Sequence, residues 1–127
     1  MMAPTARQAL TTSGKIFNGP DLSFESQHDS LRYLDTFGHG THMAGIIAGR
    51  DNKANRSLSK AASESFVGIA PGARIVSLKV ADAHGVTDVS QVIAAIDWVV
   101  QHRQDNGLNI RVLNLSFGTD STQSYVF

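Results

Sequence analysis

The run ARIVSLKV, residues 73–80, is the stretch on which the fold turns. Its branched and long apolar side chains fit a strand buried within a sheet. A turn-like stretch, ADAHGVTD, follows at 81–88. Beyond it Val89, Val92, Ile93, Ile96, Val99 and Val100 keep helical spacing through DVSQVIAAIDWVVQHRQ. Thr87 or Asp88 can cap the start of this helix, and Asn106-Gly107 can end it. IRVLNLSF, 110–117, then reads as a second buried strand. Two apolar strands joined by one helix imply parallel strands and a right-handed crossover. The expected fold class is therefore α/β, a parallel sheet with flanking helices. In open parallel sheets ligands gather beyond the carboxyl ends of the strands. Here those ends are ADAHG and SFGTD.

Towards the N-terminus the pattern changes. Between Gly40 and Ala48, Met43, Ile46 and Ile47 recur at helical spacing, and Gly49 is a natural stop. The segment DNKANRSLSKAASES, 51–65, reads as an exposed connection within one domain. Residues 1–35 are weakly patterned. SGKIFNGPDLSFESQHDS uses the vocabulary of turns, with at most one short strand near Lys15 to Phe17.

The bulk properties exclude several classes. A chain of 127 residues suits one small domain. Eleven basic residues balance eleven acidic ones, so nothing points to nucleic acid, which usually leaves a basic footprint. The absence of cysteine removes disulfides, thiolate metal sites and a cysteine nucleophile. No apolar run approaches the ~20 residues that span a bilayer, so no membrane partner is expected. The opening MMAPTARQAL does not read as a signal peptide. There is no internal repeat.

The stretch DTFGHGTHMAGIIAG, 35–49, sets His39 and His42 three apart where a polar loop turns into a helix. Two histidines at i and i+3 can share a helix face. A zinc protease pattern needs i and i+4 with a glutamate between them, and Gly40 and Thr41 stand here instead. No metal site and no cofactor are expected. Neither phosphate-cradling glycine pattern, G-x-x-x-x-G-K-[ST] or G-x-G-x-x-G, is present.

Three segments in order resemble the subtilases, the subtilisin-like serine proteases. HGTHMAGIIAG resembles the motif around that family's catalytic histidine. GIAPGARIVSLKV, 68–80, is similar to the strand that follows it, and RVLNLSFG, 111–118, to the strand lining the substrate cleft. The resemblance covers roughly residues 35–120. It implies a subtilisin-like fold, here incomplete, with 1–34 as an irregular N-terminal segment and 35–127 as a partial catalytic domain. It makes His39 the catalytic histidine, which chemistry supports. A serine protease needs a base near neutral pKa to take the nucleophile's proton and return it to the leaving amine. His42 is then expected to pack or hydrogen-bond inside the fold. HGV at 84–86 and SFG at 116–118 resemble the two edges that grip an extended peptide by backbone hydrogen bonds. The implied substrate-binding residues are Gly85, Ser116, Phe117 and Gly118. Phe117 would give an apolar wall before the scissile bond. Val89 sits where the family often shapes a more distant pocket, and Trp98 is expected to pack away from the cleft. The implied partner is a peptide or protein in extended conformation. A secreted or cell-envelope parent would fit the family, but the chain itself leaves its compartment open.

The sequence also departs from the family pattern. No V-x-D-[TS]-G strand precedes His39; Asp21 and Asp35 follow no buried run. The nucleophile motif G-T-S-x-A is missing. In GTDSTQS, 118–124, Asp120 occupies the serine's place, and Ser116, Ser121 and Ser124 lack the context. The asparagine of the oxyanion hole is absent too, and Asn114 reads as structural. The chain therefore reads as an interior piece of a serine endopeptidase domain, inactive alone. The alternatives are a non-catalytic peptide-binding protein and a decayed remnant of a protease.

Overall fold

The computed structural model describes residues 14–50 and 66–118. Two strands, β1 (Ile16–Asp21) and β2 (Ile75–Lys79), pair in parallel. Parallel strands cannot be joined by a tight turn. The chain between them carries helix α1 (His39–Ala48), and helix α2 (Val89–His102) follows β2. The arrangement is α/β, as the apolar run 73–80 requires.

β1 is longer than expected. Its register runs Ile16 to Ile75, Phe17 to Val76 and Asn18 to Ser77, then shifts, so that Asp21 faces Lys79. Three steps of β1 thus match two of β2. Pro20 lies in the shifted stretch and has no N–H to give to a ladder, which suits a bulge. Gly-Pro-Asp reads as a turn along the chain, so the strand was visible only in its first residues. Hydrogen bonds extend the ladder at both ends, from Ile75 N–H to Lys15 O (2.8 Å) and from Leu22 N–H to Lys79 O (2.8 Å).

α1 stops at Ala48 for a reason different from the expected left-handed glycine. Gly49 is extended, with φ −63° and ψ 148°. The helix's last carbonyls are taken by the segment 68–70: Ile69 N–H donates to Ile46 O (3.0 Å) and Ala70 N–H to Ile47 O (2.7 Å). This satisfies acceptors that a helix end otherwise leaves open. The approach is so close that a Cβ on Gly68 would lie 2.8 Å from Ile46 O.

α2 begins with a reciprocal cap. Asp88 Oδ1 accepts from Ser90 N–H (2.8 Å) and its hydroxyl (2.6 Å), while Gln91 Oε1 accepts from Asp88 N–H (2.9 Å). Val92 and Val99 are buried, and Ala48 of α1 is the other buried apolar residue described. Trp98 and Leu78 of β2 meet over Gly19 of β1, where a Cβ would approach both within 3.4 Å. Trp98 also stacks on His102, with ring centroids 4.6 Å apart and planes 12° from parallel. Its place is therefore in the packing of α2 on the sheet.

α2 ends at His102, and a short 3-10 turn, Asp105–Gly107, follows. Asn106 and Gly107 both take positive φ there. Arg74 ties this turn to β2 by donating to the carbonyls of Gly107 and Leu108.

The segment 110–117 is a correction. It forms no strand ladder with any described residue. Its bond from Ile110 N–H to Arg103 O (2.8 Å) holds only its start. A strand exists through its neighbours, and among the described residues none lies alongside. The parallel pair and crossover therefore belong to β1, α1 and β2, not to β2, α2 and 110–117.

Candidate functional site

The start of α1 is built by a residue outside it. Gly38 precedes the helix with φ 99° and offers no side chain to cap it. Asp35 does so instead. Its Oδ1 accepts from Gly38 N–H (2.7 Å) and its Oδ2 from Thr41 N–H (2.6 Å). A carboxylate at a helix N-terminus also meets the positive end of the helix dipole. Burial pushes the Asp35 carboxyl up. Hydrogen bonds from the Thr41 hydroxyl and from the backbone of Gly38, Thr41 and Phe37 outweigh it, so the group sits below the usual aspartate value.

His39 is the first residue of this helix and is exposed. Its Nε2 lies 2.7 Å from Ser116 O. A carbonyl oxygen only accepts, so Nε2 carries the proton in this contact. The bond joins the first sequence motif to the third across 77 positions. Among the described residues no carboxylate pairs with His39. Asp21 is engaged elsewhere: its Oδ1 accepts from Ser23 N–H (2.9 Å) and Oγ–H (2.6 Å).

His42 is exposed rather than packed inside. The segment 68–70 covers only the last turn of α1, and the first turn projects beyond it.

Gly85 sits in a closed turn at the end of β2. Asp82 Oδ1 accepts from His84 N–H (2.9 Å) and Val86 N–H (3.0 Å), and Gly85 N–H returns to Asp82 O (3.0 Å). Those backbone N–H groups, Val86 first and then His84, hold the Asp82 carboxyl below its usual value. Gly85 has φ 75°, a left-handed conformation that favours glycine. A Cβ there would also lie 3.0 Å from the Phe37 ring. Phe37, two residues before His39, thus packs against the turn that carries Gly85.

Of the other residues singled out, Ser116 offers its carbonyl to His39 and its hydroxyl to the Asn114 amide (2.9 Å). Phe117 is about half exposed, and Gly118 is exposed at the end of the described segment. Val89, at the start of α2, is exposed. Asp120, Ser121, Ser124 and the connection 51–65 lie outside the described residues. Among the described residues no group of three or more His, Asp or Glu side chains could hold a metal ion. No described helix is long and apolar enough to cross a membrane.

Sequence reasoning missed Phe37 and Glu25. Phe37 could have been found, because it immediately precedes the GHGTH stretch. Glu25 could not, since it stands in a polar run with no periodicity. Its Oε2 accepts from Lys79 Nζ (2.6 Å) and Thr36 Oγ1 (2.8 Å), and its Oε1 from Ala83 N–H (3.0 Å).

Fold and site together define an α/β protein with a histidine at a helix start, facing the end of an apolar extended segment. Comparison with known proteins gives the family of the chain. The model of the subtilase family, peptidase S8, matches residues 10–126. The chain is 34% identical over 125 residues to a thermostable alkaline protease of Halalkalibacterium halodurans, covering 94% of this chain and 29% of that protein. It is 33% identical over 124 residues to a subtilisin-like protease of Coccidioides posadasii, covering 91% and 27%. It is 32% identical over 105 residues to the minor extracellular protease Epr of Bacillus subtilis, covering 80% and 14%. The chain belongs to the subtilase family, whose members are serine-protease hydrolases. It spans less than a third of the length of these relatives. No solved structure matches it significantly.

Proposed function

We propose that this chain supplies the histidine and one side of the substrate cleft of a subtilisin-like serine endopeptidase. The observation that carries this is the 2.7 Å contact between His39 Nε2 and Ser116 O, which brings the histidine motif to the cleft-strand motif. His39 is the general base that takes the serine's proton and the general acid that returns it to the leaving amine. Ser116, Phe117 and Gly118 form one edge for an extended peptide, and Gly85 forms the other. Phe117 gives an apolar wall for the residue before the scissile bond.

The chemistry requires an unprotonated Nε2, since that nitrogen receives the proton. In the observed contact it is protonated and turned to a carbonyl. A half-turn of the ring about Cβ–Cγ exchanges Nε2 with Cε1. It leaves a C–H against Ser116 O and turns Nε2 away from the carbonyl; Nε2 can then accept the serine's proton once its own has passed to water and Nδ1 has taken one up. The chain itself carries no G-T-S-x-A segment. Loss of the serine alone lowers kcat about 10⁶-fold in subtilisin, so the chain alone turns over no peptide.

The test is to titrate the chain with a labelled extended peptide bearing a large apolar side chain, and to assay a chromogenic peptide in parallel. Binding without turnover is expected, and Gly85→Val should abolish the binding. Turnover abolished by His39→Ala would refute the inactivity of the chain. Failure of the folded chain to bind any such peptide would refute the cleft.

A further inference from the structure

We infer that Glu25 is a positioning residue that sets the spacing between the helix carrying His39 and the turn carrying Gly85. This rests on the cleft reading above for its functional meaning, and on geometry alone for its existence.

One carboxylate touches three separate segments. Oε2 holds Lys79 Nζ at the end of β2 and Thr36 Oγ1 just before α1, and Oε1 holds Ala83 N–H in the turn after β2. Thr36 follows Asp35, whose carboxylate fixes Gly38 and Thr41 and hence the first turn of α1. Ala83 lies between Asp82, which closes its turn, and Gly85, on which Phe37 packs. Glu25 therefore grips both sides of the proposed cleft, and Phe37 also bridges them.

The network is anchored in the sheet. Lys79 also donates to Leu31 O (3.0 Å) and lies 3.9 Å from Asp21 Oδ2. The side chains of Lys79, Glu25 and Asp21 are 9%, 13% and 1% exposed. Charges so far removed from water persist only when paired and hydrogen-bonded, and removing one partner strands the other. The Lys79 ammonium, and next the Thr36 hydroxyl, hold the Glu25 carboxyl below its usual value, so it is ionised at neutral pH.

Glutamine cannot replace Glu25 here. All three partners are donors, and an amide has only one acceptor oxygen. Whichever way the amide lies, its NH₂ faces a donor. Thr36→Ser keeps the hydroxyl and should behave as the parent, whereas Thr36→Val keeps the shape and loses the bond.

The experiment is site-resolved amide exchange and ¹⁵N NMR of the histidine rings on the whole chain and these variants. In the parent, Val92 and Val99 of α2 should be protected, and His39 Nε2 should show a single protonated, hydrogen-bonded signal. Glu25→Gln should speed exchange roughly tenfold at Gly38 and Thr41 and also at Gly85 and Val86, as expected for losing a bond to a charged group. It should also shift His39 Nε2 and leave Val92 and Val99 protected. Thr36→Val should speed only Gly38 and Thr41. Thr36→Ser should change nothing. The inference is overturned if Glu25→Gln affects Ala83 alone, or loosens α2 equally, or leaves the His39 signal in place. A parent chain unprotected throughout overturns it as well. If the protected parent binds no peptide, the cleft reading falls, and the exchange pattern still decides on Glu25.

Discussion

β2 and the segment 110–117 have nearly the same chemistry along the chain, and they differ in what lies beside them. β2 has β1 in register on one side, and its Ile75, Val76 and Leu78 are half-buried. In 110–117, Val112 is 84% exposed and Leu113, Leu115 and Phe117 are about half exposed. The difference teaches that an apolar run states what a strand could bury, while a neighbour decides whether it is one. It also separates the two proposed cleft edges. Gly85 rides on the paired strand, and Ser116 is held by the histidine it faces.

The sharpest way to break this comparison is a proline in each segment. By the alternation that begins at Ile75 N–H, Ser77 N–H also faces β1. Ser77→Pro should cost about 1–3 kcal/mol, because it removes a ladder hydrogen bond and leaves the facing carbonyl unsatisfied. Asn114→Pro should cost less than about 0.5 kcal/mol, because no ladder is lost. Urea midpoints of the two variants decide. Equal losses would show that 110–117 pairs in solution as β2 does.

A second comparison sets the two carboxylates that hold helix starts against acid. Asp35 has its folded pKa lowered, so its stabilisation is present above the unfolded value of about 3.9 and is lost as pH falls through the lower folded value. After allowance for solvent screening, the loss should be at most about 1 kcal/mol. Asp88 shifts in the same direction through Ser90. Asp35→Asn should remove the acid-induced loosening at Gly38 and Thr41 and leave the start of α2 unchanged. Exchange rates followed from pH 5 downwards would show this, and loosening that persists in the variant would assign it to another group.

The smallest expected change in stability is the most useful one for handling the protein. Val112→Lys should alter the urea midpoint by no more than about 0.5 kcal/mol, since the side chain is already in water. It should nonetheless reduce self-association, because an apolar edge with unpaired backbone is a template for pairing and a lysine blunts it. Light scattering against concentration measures that. An unchanged scattering profile would mean that 110–117 is not the sticky surface.

The helices were legible because each carries its own periodicity. β2 was legible because its run is long and branched. β1 was hidden by Gly19, Pro20 and Asp21, which spell a turn locally and form a bulged strand only against β2. The segment 110–117 was misread for the opposite reason, since a strand's existence is not a local property. At the site, the GHGTH stretch singled out His39 and the SFG stretch singled out Ser116, while the contact between them was not read from the sequence. Glu25, Thr36 and Lys79 converge from positions far apart in the chain, and no spacing rule reaches across such distances. The capping role of Asp35 was missed because it acts from three residues before the helix boundary.

The stacked pair of Trp98 and His102 has a use that requires no labelling. Trp98 is the only tryptophan in the chain. His102 Nδ1 donates to Trp98 O (2.8 Å), which holds its ring against the indole. Trp98 also leans over Gly19, so its colour follows the docking of α2 on β1. The wavelength of one emission spectrum therefore reports, without a label, whether the helix is still seated on its sheet.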